Sequence, residues 1–341
     1  MKTVARIKIG FVFLLFVIAS VSGVKANNIR PNGVFDSDEV LKLTLIADFN
    51  KLYTERDKAA DYIVGRMVYT DKKDVELPVK LKVRGNFRLK ESTCDFAPLK
   101  LKFGKEDVGR TLFKNNRKLK LVTHCKDSEE MLNSVIREYS AYRIYNSISE
   151  YSLKVRLVEI NYVDENDGSS FTKFGFFIED KDDMCARLGI EQYKVMNVTL
   201  NQLEEQEMVK MSMFQYMIGN EDWSVPMLHN VILVKDGNHK PYIAIPYDFD
   251  MSFFVNPPYR KDITGTAETV KIYKGDRVKF DELRKQVDYF TETKEEVLNM
   301  ILDLPEMSIE CKQRCVSEIE DFYAKLETKS SIRRNFMAHV K

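Results

Sequence analysis

The sequence predicts an α+β chain arranged as two lobes, a β-rich first lobe and a mainly helical second one. Alternation of apolar and polar residues with period two runs through the first half, as in 77–83 (LPVKLKV) and 99–103 (LKLKF). Apolar residues spaced three and four apart take over at 128–148 and dominate the second half. Between them a polar run, Glu179-Asp180-Lys181-Asp182-Asp183, breaks both patterns. A length of 341 residues and a hydrophobic fraction of 44% suffice for two lobes, set at 27–180 and 181–341.

Lys2, Arg6 and Lys8 precede an apolar run at 9–21 and the small-residue segment Val24-Lys25-Ala26. This order reads as a secretory signal peptide over 1–26, cleaved after Ala26. The apolar run is shorter than the ~18–20 residues a bilayer requires. The expectation is an exported protein, secreted or at the periplasm or cell surface, with no stable membrane insertion after cleavage.

After a loop at 27–37, strands are expected at 41–47, 62–69, 77–83, 99–103, 117–122, 153–163 and 171–178. They should pair as an antiparallel sheet with one face in water, carrying the alternating Lys residues. The helix at 128–148 has Asp127 or Ser128 as N-cap, and Glu129 and Glu130 suit its first turn. Further helices are expected at 202–218, 277–287, 294–302 and 308–328, with a loop at 256–269 and a basic tail.

Basic and acidic residues nearly cancel, 53 against 52, for a net charge of +1. No global field attracts nucleic acid, which is not expected as a partner. The cysteine count of five is odd, so at most four can pair, and the sequence does not give the connectivity. Cys311 and Cys315 lie on a helical apolar face and read as core residues. The histidines form no metal-ligand motif.

Chemistry concentrates in 219–250, GNEDWSVPMLHNVILVKDGNHKPYIAIPYDFD. Asp222 lies in a turn, Asn230 opens a strand, and Asp248 and Asp250 follow the next strand. Magnesium takes hard oxygen ligands, usually one or two carboxylates plus substrate phosphates. Lys100 or Lys102, on a strand of the first half, and Glu138, on its helix, complete a set suited to phosphoryl transfer. In that chemistry a Lys held by a helix Glu neutralises phosphates, an Asp accepts the hydroxyl proton, and an Asn and a second Asp hold the metal.

The Arg84-Gly85-Asn86 turn, the LKLKF strand, the Asn220-Glu221-Asp222 turn, Asn230 and Ile245-Pro246-Tyr247-Asp248-Phe249-Asp250 together resemble the CotH (spore coat protein H) family of atypical secreted protein kinases. The resemblance covers roughly 83–253, about half of the chain. It implies a two-lobed protein-kinase-like fold that uses ATP and Mg or Mn to phosphorylate Ser or Thr hydroxyls of a protein. It implies Asp222 as catalytic base, Asp248 as principal metal ligand, and Asn230 and Asp250 as supporting ligands. Lys100, Lys102, Glu138 and Arg84 become the nucleotide-binding candidates, with Glu129 or Glu130 as other registers for the acid. The sequence departs from ordinary protein kinases: it has no GxGxxG loop and no HRD triplet, and Phe-Asp stands where Phe-Gly would follow the metal-binding Asp. Two other readings are a non-catalytic surface or scaffold protein with the same fold, and a metal-dependent phosphoesterase.

Overall fold

The alternating runs of the first half form a closed barrel in the computed structural model, which describes residues 33–237, 240–260, 271–305 and 307–337. The described residues all belong to one unit, Pro31–Lys341. The signal peptide expected over 1–26 lies outside them. The barrel strands are β1 (Leu41–Ala47), β2 (Ile63–Asp71), β3 (Lys73–Val83), β4 (Leu99–Lys102), β5 (Lys118–Val122), β6 (Val155–Asp164) and β7 (Ser170–Ile178). Their order is β1-β2-β3-β4-β5-β7-β6, and β6 returns to β1.

Closure corrects the expected one-sided antiparallel sheet. The closing pair is parallel, with Leu41 opposite Val158 and Ala47 opposite Asp164. An open sheet would leave two edges of unpaired backbone groups, and closure removes both. The alternation survives, but its dry side is the barrel interior. Leu45, Met67, Leu81, Leu101, Leu119 and Leu121 fill it, with Phe113, Tyr162 and Phe177.

The helices are α1 (Phe49–Glu55), α2 (Lys105–Val108), α3 (Glu129–Ile148), α4 (Lys181–Leu188), α5 (Glu205–Met217), α6 (Phe280–Leu302), α7 (Ile309–Ala324) and α8 (Lys329–Phe336). Helix α3 joins the barrel to the rest. Ser128, not Asp127, caps it and accepts from the Met131 N–H at 3.3 Å. Its residues Ile136, Tyr142 and Ile144 share a core with Val122 and Phe176 of the barrel, Phe214 of α5 and Phe290 of α6. A small sheet in the order β10-β9-β8 completes this half, from β8 (Glu191–Tyr193), β9 (Val231–Lys235) and β10 (Ile243–Pro246).

Some boundaries differ from expectation. The two helices expected at 277–287 and 294–302 are one helix, α6, whose Val287, Phe290, Val297 and Ile301 continue a single buried face. The polar run after β7 is not a plain break, because Asp180 caps α4 by accepting from the Asp182 N–H at 3.1 Å. The basic tail folds into α8, capped by Thr328 and anchored by buried Ile332 and Phe336. Among the described residues, no helix is long and apolar enough to cross a membrane.

Cys94 and Cys125 form a disulfide, while Cys311 and Cys315 are unpaired and buried, as their helical face suggested. The bridge ties the segment after β3 to the segment before α3, 31 residues on. Closing a loop of this length restricts the unfolded chain by about 3–4 kcal/mol. The Cys94→Ala/Cys125→Ala variant should therefore unfold at clearly lower urea concentration, with a steeper denaturant slope because the unlinked unfolded chain exposes more surface. An unchanged midpoint would show that the bridge contributes no net stability.

Candidate functional site

The ladder between β9 and β10 sets the site. Val231 faces Pro246, and one step further out the Tyr247 N–H donates to the Asn230 carbonyl at 3.0 Å. Asn230 and Asp248 therefore leave the same end of one hairpin. Asn230 and Asp248 both adopt left-handed backbone, at φ 53° and 65°, a region Asn and Asp tolerate better than most residues. The Asp248 N–H donates to the Tyr142 hydroxyl of α3 at 2.8 Å. Phe249 packs on the same Tyr142 ring, with centroids 4.6 Å apart. The long helix of the first half thus fixes the turn that carries Asp248 and Asp250.

Asp222 is held by a different device. Asn220 is buried, and its side-chain oxygen accepts from the Asp222 N–H at 3.1 Å, an Asx turn. The Trp223 indole N–H donates to the Asn220 carbonyl at 3.2 Å, so the tryptophan packs the turn. Reciprocal backbone bonds between Ser224 and His229, both 2.9 Å, close the segment that follows. This brings Asn230 back onto Asp222. The Asn230 amide nitrogen donates to the Asp222 carbonyl at 2.7 Å and to its carboxylate at 3.0 Å. The other carboxylate oxygen of Asp222 lies 2.7 Å from His229 Nε2.

These residues form one wall of a cavity of about 860 Å³. The facing wall is the barrel exterior. Lys82, Lys100 and Lys120 stand directly opposite one another on β3, β4 and β5, and all line the cavity. Burial, with Arg84 nearby, lowers Lys120 to about 8. Its ammonium sits 5.5 Å from the centroid of the Tyr247 ring. Arg84 also lines the cavity, next to Gly85, whose φ of 98° requires a residue without Cβ strain.

Glu138 is buried at the base of the cavity. Its cationic partner is Arg88, at 3.9 Å, and not the expected Lys100 or Lys102. Arg88 also donates to the Thr123 carbonyl at 2.6 Å. Burial, then the charge of Asp250, raises Glu138 well above the usual carboxylate range. Asp250 is pushed up to about 7 by burial and by Asp248, and it accepts from the Tyr259 hydroxyl at 3.0 Å. One buried guanidinium thus faces a crowd of carboxylates.

The structure brings together most of the residues singled out from sequence. Arg84, Lys100, Glu138, Asp222, Asn230, Asp248 and Asp250 line one cavity, whereas Lys102 does not. Lys102 lies two rungs away, opposite Lys80 and Lys118. Lys120, Arg88 and His229 are additions that sequence reasoning missed. By its alternation alone Lys120 belongs to a solvated strand face. Its signal was the shared parity of Lys82, Lys100 and Lys120, visible once β3, β4 and β5 are set in register. Among the described residues, no group of three or more His, Cys, Asp or Glu side chains is placed to hold a metal ion.

No family model matches the chain. No curated protein matches it either. Among solved structures, a crystal structure of the Helicobacter pylori proinflammatory kinase CtkA is similar over 64% of this chain and 91% of that one, at 11% identity and a TM-score of 0.41. A Golgi casein kinase is similar over 88% of this chain and 76% of its own, at 9% identity and a TM-score of 0.29. The same kinase with Mn/ADP bound is similar over the same shares at 10% identity and a TM-score of 0.29. Likeness at these scores carries no argument about this chain.

The Arg88–Glu138 pair gives a direct test of the base of the site. Removing one partner of a buried ion pair costs about 3–5 kcal/mol, because the other charge is left unpaired. Arg88→Met should lower unfolding free energy on that scale, and adding Glu138→Gln should recover a large part of the loss. Additive effects of the two changes in urea titrations would mean that the groups are not coupled.

Proposed function

We propose that the protein is an exported, CotH-like atypical kinase that transfers the ATP γ-phosphate to Ser or Thr hydroxyls of a protein substrate. In this reading 27–180 and 181–341 act as two lobes of one kinase-like domain, and the substrates meet in the cavity between the barrel face and the β9–β10 hairpin. The observation that carries it is the clamp of Asn230 on Asp222. The amide nitrogen is committed to the carbonyl and carboxylate of Asp222. That leaves the Asn230 side-chain oxygen as the atom offered to a cation, beside Asp248.

The donor set fits Mg or Mn. Asn230, Asp248 and Asp250 offer oxygen only, and the shell of such an ion is normally completed by water and substrate phosphates. The metal would neutralise phosphate charge as it develops. Asp222, in its Asx turn, accepts the proton of the incoming hydroxyl. Asn230 orients Asp222. Lys82, Lys100 and Lys120 face the phosphates, and Lys120, half-buried with its ammonium over the Tyr247 ring, is placed to grip one. Arg88 takes the role first given to a lysine, holding Glu138 and keeping the base of the cavity together.

The test is transfer of labelled phosphate from ATP to a protein acceptor, or to the chain itself, with Mg or Mn. Asp222→Ala should lower the rate by about 10²–10⁴, the usual contribution of a positioned base. Asp248→Ala should abolish metal-dependent transfer. Lys120→Ala should weaken ATP use far more than Lys102→Ala. Wild-type rates in both aspartate variants would overturn the assignment.

A further inference from the structure

His229 lines the cavity from the loop that returns the chain to Asp222, and the kinase reading so far gives it no part. Its neighbours Leu228 and Asn230 both hold left-handed backbone, at φ 51° and 53°. The reciprocal Ser224–His229 backbone bonds, both 2.9 Å, close the loop before it, and the Asn230 amide nitrogen binds Asp222 after it. The imidazole is thereby delivered to one particular atom. His229 Nε2 lies 2.7 Å from Oδ1 of Asp222, while Asn230 donates to Oδ2 at 3.0 Å. Two consecutive residues thus grip the two oxygens of one carboxylate.

The direction of the 2.7 Å contact follows from the chemistry of its ends. A carboxylate that is to take up a proton is ionised and can only accept. Nε2 therefore carries the hydrogen and donates it, whether the ring is neutral or charged. Folding stability is not what this bond supplies. The two side chains are 53% and 42% exposed, and exposed pairs of this kind add little to stability. What it supplies is geometry. The Asx turn fixes only the backbone N–H of Asp222. The Asn230 bond to Oδ2 still leaves the carboxylate free to turn about that contact. A second donor on Oδ1, from a different residue, fixes the plane of the group. Without it Oδ1 is free to swing toward Lys82, Lys100 and Lys120, which line the same cavity.

We propose that His229 is a positioning residue, which holds the Asp222 carboxylate in one plane so that an incoming hydroxyl meets a fixed lone pair. The inference rests on the reading of Asp222 as the base. A carboxylate oxygen has two lone-pair sites, so Oδ1 can accept from His229 and keep the other site for the hydroxyl proton. That proton passes from the hydroxyl to Asp222 as the hydroxyl oxygen bonds to phosphorus and the bond to the leaving ADP breaks. His229 touches neither the hydroxyl nor the phosphate, and it keeps its own proton throughout.

Steady-state transfer from ATP with Mg, using the full chain and casein as acceptor, tests the proposal. His229→Ala should lower kcat by up to about 100-fold, the scale of a reacting group displaced by about 1 Å. The KM for ATP and the urea unfolding midpoint should not change. His229→Gln, whose amide nitrogen can stand where Nε2 stands, should recover a large part of the rate, whereas the shorter His229→Asn should not. In an Asp222→Ala background, His229→Ala should cost nothing further, because its effect runs through that carboxylate. Unchanged kcat in His229→Ala, a change confined to the KM for ATP, equal rates for the Gln and Asn variants, or a full further loss in the Asp222→Ala background would each overturn the proposal and leave the kinase reading standing. No transfer by the wild type, or wild-type transfer by Asp222→Ala, would overturn that reading and this inference with it.

Discussion

The cavity is governed by charge that the protein separates but does not cancel. Like charges directly opposite on neighbouring strands are destabilising, yet Lys82, Lys100 and Lys120 form such a row across β3, β4 and β5. On the facing wall Asp248, Asp250 and Glu138 crowd together, and burial with this crowding raises the proton affinity of Asp250 and Glu138. Among the described residues, no ion pair joins the lysine row to these acids. The barrel would be better served by mixed charges on β4 and β5, and the hairpin by a single acid. The two walls thus hold charge of opposite sign across one cavity.

Arg88 shows how this arrangement is kept from collapsing. A buried guanidinium among several carboxylates is costly to desolvate, but its loss would be costlier because it would strand the acids. The segment that carries it is pinned by the Cys94–Cys125 disulfide on one side and by the Arg84 N–H to Pro98 carbonyl bond, 2.8 Å, on the other. The disulfide packs with Met131 of α3 and Tyr259, whose hydroxyl donates to Asp250. The covalent link and the charge balance therefore act on the same piece of chain.

Much of the site was legible because its residues lie in local motifs. Asn220 and Asp222 are two apart in one turn, and Asp248 and Asp250 follow one strand, so sequence order shows them. The strand and helix periods likewise marked every barrel strand and α3. What failed was non-local. Barrel closure depends on β1 meeting β6 in parallel, more than a hundred residues away, and no periodicity encodes that. Lys120 stands out only through its cross-strand partner Lys100. The chemistry of phosphoryl transfer pairs Glu138 with a lysine, whereas its partner Arg88 is fixed by a loop path that the pattern of residues does not reveal. Short α1, α2 and α4 span too few turns for periodicity to register.

The backbone around Asn230 explains why that position wants the residue it has. Its φ of 53° disfavours most side chains, and a non-glycine residue there stores about 1–3 kcal/mol of strain that persists only where its surroundings enforce it. Glycine would relieve the strain but would lose both bonds to Asp222. Aspartate would tolerate the conformation, but it has no N–H to donate and would set a carboxylate against that of Asp222. Asparagine combines tolerance of left-handed backbone with a donor for Asp222. Leu228, at φ 51°, has no such side-chain reason. It is held by its N–H bond to the Val225 carbonyl, 3.1 Å, inside the loop that the Ser224–His229 bonds close. The strain at Leu228 thus follows from returning the chain within reach of Asp222, and the position of Asn230 is what that return achieves.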